Sequence, residues 1–128
     1  MEGKRMTNED EREPRDLLPL QPADFQVLLL LAEGPLHPYG LSKAVEAKAE
    51  LGVELGIGSL YRMLNRMKSA GLIDEADGEE TSRGPAARRR VFRLTGFGRR
   101  VARAEARRLE AVVEAARAHD FLPQSRGG

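Results

Sequence analysis

Arginine and asparagine on one helix face are the side chains best suited to reading base edges, and Arg62, Asn65 and Arg66 stand at i, i+3 and i+4 in one segment. An arginine offers guanine two parallel donors, and an asparagine matches a donor and an acceptor to adenine. Ser59, Tyr61 and Lys68 lie in the same segment, with hydroxyl and ammonium groups that suit phosphate oxygens. A second set, Arg83, Arg88, Arg89 and Arg90, falls in a stretch that also holds Gly78, Gly84 and Pro85. Guanidiniums there can neutralise phosphates or enter a narrow minor groove. The competing reading of both sets is a solvated, charged surface. Tyr61, next to the apolar Leu60, can equally serve by packing.

Other chemistries find few residues. The absence of cysteine excludes disulfides, thiol nucleophiles and thiolate metal sites, and fits a reducing compartment. His37 and His119 are far apart and have no i, i+4 partner, so no metal site is expected. No Ser-His-Asp pattern, phosphate-cradling glycine loop or paired catalytic carboxylates stands out, so neither catalysis nor a cofactor is expected. The longest apolar run, Val27 to Ala32, is far below the roughly 20 residues that cross a bilayer. Met1 to Asp16 is charged and lacks the apolar run of a signal peptide. A cytoplasmic protein without membrane contact is the expectation.

The net charge of +1 conceals a strong asymmetry. Arg83 to Arg108 holds ten arginines against one acid, Glu105, whereas Asp74 to Glu80 holds five acids and no base. Such segregation fits either a surface that faces a polyanion or a solvated, arginine-rich helix face.

Positioning these groups requires a scaffold. Pro22 and Asp24 suit the first turn of a helix that runs through Leu28 and Leu31 and stops at Gly34-Pro35. A second helix is expected from Pro38 to about Leu51, with Leu41, Ala44, Val45 and Ala49 on its buried face. Leu60, Met63, Leu64 and Met67 form the stripe of a third helix, with Ser59 as its expected cap and Gly71 as its end. Leu72-Ile73 and Val91 to Leu94 read as the two ends of a hairpin, with Phe92 and Leu94 on one face. Its tip, Asp77 to Arg90, is long and polar, as a wing is, and the acids from Asp74 to Glu80 are expected to be solvated. Thr95 caps a final helix, weakened in its first turn by Gly96 and Gly98. Ala102, Ala106, Leu109, Val113 and Ala116, with Val112 beside them, make a stripe long enough to call for a partner helix.

The expected fold is therefore mainly α, a winged helix-turn-helix of three helices plus a two-stranded wing, with a long C-terminal dimerisation helix. Its expected divisions are a disordered arm at 1–16, the winged domain at 17–94, the dimerisation helix at 95–120 and a flexible tail at 121–128. In such folds the third helix enters the major groove of double-stranded DNA and the wing reaches a neighbouring groove or the backbone.

Several stretches in this order resemble the PadR family of regulators: Leu29-Leu30-Leu31-Ala32 with Glu33-Gly34-Pro35-Leu36-His37, Gly58-Ser59-Leu60-Tyr61, Gly71-Leu72-Ile73, and Arg93-Leu94-Thr95 with Gly98-Arg99-Arg100. The chain departs from the family pattern at Pro38, where glycine is usual, at Phe92, where tyrosine is usual, and at Arg62, where proline is frequent. The resemblance implies a homodimer held by the C-terminal helix that often represses and is often released by a small-molecule effector, and a twofold dimer would bind a roughly palindromic operator. The chain lacks tryptophan and is poor in aromatic residues, which gives a flat aromatic ligand site no support. The alternative function is a winged-helix module that binds protein and has lost DNA contact.

Overall fold

The computed structural model describes residues 12–48, 52, 56–77 and 90–124. Helix α1 spans Pro22–Leu31 and α2 spans Pro38–Ala47, each with proline in its first turn, where a missing N–H costs nothing. Helix α3 spans Ile57–Ser69. Strands β1, Ile73–Asp77, and β2, Arg90–Leu94, pair antiparallel with Ile73 opposite Leu94 and Glu75 opposite Phe92. Helix α4 spans Gly96–Ala118. This order is the expected one.

The α3 stripe is the centre of the core. Leu60, Met63, Leu64 and Met67 are all buried, against Val27, Leu28 and Leu31 of α1, Leu41 and Val45 of α2, and Leu72, Ile73, Phe92 and Val101. Gly71 closes α3 with a positive φ of 82°, which lets the Leu72 N–H donate to the Met67 carbonyl at 3.0 Å.

Four details differ from expectation. Helix α2 ends at Ala47 rather than near Leu51; Val45 is its last buried residue, and Glu46 to Lys48 are exposed, so packing stops supporting the helix there. Ala49 and Leu51 lie outside the described residues. Helix α3 begins at Ile57 with Gly56 at the cap position, which places Ser59 inside the first turn rather than before it.

The segment before Leu17, expected to be a loose arm, belongs to the fold from Arg12 onward. Pro14–Leu17 form a 3-10 turn, and the Arg12 guanidinium donates to the Ala70 carbonyl at 2.8 Å while lying 4.5 Å from the Phe97 ring centroid. The wing also gains a third partner. Leu36 exchanges two backbone hydrogen bonds with Phe92, at 2.8 and 3.2 Å, so the chain between α1 and α2 covers the open edge of β2.

Thr95 caps α4 as expected, accepting from the Gly98 N–H at 2.9 Å while its hydroxyl donates to the Gly71 carbonyl at 2.7 Å. The cap thus ties the end of α3 to the start of α4. Gly98 is required here: a Cβ at this position would overlap the Leu72 carbonyl.

Candidate nucleic-acid interface

The exposed surface of α3 has two flanks, because residues three or four apart share a side and their neighbours lie about 100° round the helix. Ser59, Arg62 and Arg66 form one flank and line a shallow groove with Gln21, Ala23 and Asp24 at the start of α1. Tyr61 and Asn65 form the other, and line a cleft with His37, Pro38 and Tyr39 at the start of α2 and with Glu75, Arg90 and Phe92 of the hairpin. Residues on α3 and the root of the wing therefore share one surface.

The charged side chains on that surface are held in different ways. Arg62 donates to the Ser59 hydroxyl at 3.2 Å and is otherwise exposed. Asn65 is exposed, and Tyr61 is 49% exposed. Lys68 and Arg90 both reach Glu75, at 2.9 and 2.7 Å, so one carboxylate joins the end of α3 to the start of β2. Glu75 can do this because Arg90 lies diagonally across the sheet on the same face, two residues from its partner Phe92. Asp74 faces Arg93 directly in the register and pairs with it at 3.1 Å. Asp74 stays solvated as expected, with its side chain 54% exposed, whereas Glu75 is partly enclosed between its two cations.

Arg66 is fixed most firmly. Its Nη1 and Nη2 donate to the two oxygens of Asp24 at 2.9 and 3.0 Å. The Asp24 side chain is 6% exposed and that of Arg66 is 57% exposed. The hydrogen bond to Asp24 raises the Arg66 pKa, against the smaller opposing effect of burial. Nothing in the α3 sequence signals this bond. An acid in the first turn of a neighbouring helix was the one available clue.

Arg83, Arg88 and Arg89 lie outside the described residues. Of the expected seam, Ala102 is half-buried and packs against the chain's own core, whereas Ala106, Val112 and Val113 are exposed and Leu109 and Ala116 are half-buried. The residues expected to form a seam, from Ala106 onward, therefore lie beyond the part of α4 that the core holds. Glu105 marks the boundary: it is 2% exposed, accepts from the Leu20 N–H at 3.2 Å, and holds Arg108 through two bonds of 2.7 and 2.9 Å. The bonds from Arg108 lower its pKa, burial opposes them, and the Leu20 N–H adds to the lowering.

Among the described residues, no group of three or more histidine or acidic side chains could hold a metal ion, and no helix is long and apolar enough to cross a membrane.

Comparison with known proteins bears on the fold and the family. The model of the transcriptional regulator PadR-like family matches residues 27–104, from the middle of α1 to the first turns of α4. A 37.1 kDa protein in transposon TN4556 of Streptomyces fradiae is 37% identical over 84 residues, which is 66% of this chain but only 22% of that protein. Among solved structures, a transcriptional regulator from Clostridium thermocellum is similar with a TM-score of 0.60 and 26% identity, over 74% of this chain and 86% of the other.

A PadR family transcription regulator from Clostridium difficile has a TM-score of 0.67 and 23% identity, over 77% and 98% of the two chains. Bacillus subtilis PadR in complex with operator DNA has a TM-score of 0.55 and 17% identity, over 84% and 51%. These last two establish the shared winged-helix fold. With the family model spanning the helices, the hairpin and the start of α4, the chain belongs to the PadR-like family of transcriptional regulators.

Proposed function

We propose that this chain regulates transcription by binding a specific double-stranded DNA operator as a homodimer in the cytoplasm, acts as a repressor, and is released by a small-molecule effector. The observation that supports the DNA reading is the cleft that Tyr61 and Asn65 of α3 share with Arg90 at the wing root, with Arg62 and Lys68 exposed elsewhere on the same helix. In this reading α3 enters the major groove, with Arg62 and Asn65 on base edges and Ser59, Tyr61 and Lys68 on the backbone. Arg83, Arg88, Arg89 and Arg90 follow the phosphates beside it. The B. subtilis relative in complex with operator DNA supports this assignment of the fold's use.

The dimer reading rests on α4, which continues about 15 Å beyond Arg108 with Leu109, Val112, Val113 and Ala116 outside the core. A twofold dimer places two α3 helices on half-sites about one helical turn apart. Selection of bound duplexes from a random pool tests the whole reading. Enrichment of a roughly palindromic sequence is the expected result; a pool that stays random favours the protein-binding module instead.

A further inference from the structure

Resting on the DNA reading above, we propose that Arg66 is a positioning residue that orients Arg62 and Asn65 by clamping α3 to α1 through Asp24. The chemistry argues against its being a base reader. Guanine recognition takes two parallel N–H donors from one guanidinium, and Nη1 and Nη2 of Arg66 already donate in that manner to Asp24. Swinging the fork away would leave a carboxylate that is 6% exposed without its cation, and an unpaired buried charge is strongly unfavourable.

Placement explains what the clamp does. The buried stripe of α3 fixes its depth by apolar packing, which has no directional bonds to resist a small rotation about the helix axis. Asp24 lies in the first turn of α1, and Arg66 lies at the rim of the stripe, next to Met67 and one residue from Asn65. Two bonds of fixed direction at that rim set the rotation of the helix. A bidentate base contact tolerates little angular error, so a small rotation at Arg66 reaches both Arg62, one turn earlier, and Asn65.

The test compares base preferences of wild type, Arg66→Ala, Asp24→Asn and the apolar replacement pair Asp24→Leu with Arg66→Met, each checked for folding by circular dichroism. The pair retains volume without a buried charge and keeps the comparison valid if a single variant unfolds. The positioning role predicts that the folded variants flatten preference at several base pairs of the half-site together, lowering discrimination about tenfold. It predicts the same pattern for Asp24→Asn, although that change leaves Arg66 in place, because the amide keeps only one acceptor oxygen and cannot hold both Nη1 and Nη2.

If Arg66 instead reads a base, Arg66→Ala and the pair lose preference at one base pair only, while Asp24→Asn keeps or sharpens it; that result overturns the proposal. A wild-type chain that enriches no sequence overturns the DNA reading itself, and the positioning role with it.

Discussion

Gly98 of α4 approaches the Leu72 carbonyl so closely that no side chain fits between them. The sequence alone casts Gly98 as a weak point in a helix, since glycine usually costs stability there. The contact reverses that judgement. Gly98→Ala is predicted to destabilise the fold by about 1–3 kcal/mol, the usual cost of overpacking against rigid neighbours. Gly96 has open space around its would-be Cβ, so Gly96→Ala is expected to be neutral or to stabilise by up to about 1 kcal/mol. Urea unfolding of the two variants checks the contrast, and equal effects would remove the steric account.

Glu105 supplies a pH dependence. Its folded pKa lies below the ordinary value because Arg108, and then the Leu20 N–H, favour the carboxylate. In the window from about pH 4.3 downward to that lowered value, the unfolded chain binds a proton that the folded chain does not. Stability from this group is therefore fully present above the window and is lost as pH falls through it. Glu105→Gln is predicted to flatten this part of the stability profile, measured as unfolding midpoints across an acid series. An unchanged profile would show that the pair contributes nothing to folding.

The proposed dimer depends on the part of α4 beyond Glu105. Leu109→Glu and Val113→Glu each place a charge in the seam, at a cost that apolar burial cannot offset. Both are expected to halve the mass seen by light scattering while leaving helix content intact. Val112 is 51% exposed in the single chain and is expected to become protected from solvent in the assembled protein. A persistent dimer in both glutamate variants would place the interface elsewhere.

Base reading and phosphate contact separate by their signatures. Arg62→Ala is predicted to relax preference at one base pair and to cost about 1–3 kcal/mol on the preferred site. Arg88→Ala and Arg89→Ala are predicted to weaken all sequences alike and to reduce the slope of log affinity against log salt by about 1 each. A uniform loss for Arg62→Ala would make it a phosphate contact.

Periodicity carried the helices: the stripe of Leu60, Met63, Leu64 and Met67 is buried as its spacing requires, and Pro22, Pro38 and Thr95 begin helices because their local chemistry permits little else. Long-range partners were less legible. The bond between Asp24 and Arg66 joins residues 42 apart, and that between Leu20 and Glu105 joins residues 85 apart, so no local pattern announces either. The pairing of Leu36 with Phe92 is a backbone interaction open to any residue except proline. The docking of Arg12 depends on Ala70 and Phe97, which only the folded chain brings together. Of the candidate DNA contacts, the sequence located the helix and the wing root; it left hidden that Arg66, Lys68 and Arg90 already hold acids within the fold.

Sequence-specific DNA binding is measured by the affinity of the intact chain for its selected duplex and for a scrambled duplex across a salt series. Both affinities are expected to fall steeply with salt, while the selected duplex stays at least about 10³-fold tighter. Equal affinity for the two duplexes, or binding insensitive to salt, would contradict sequence-specific DNA binding.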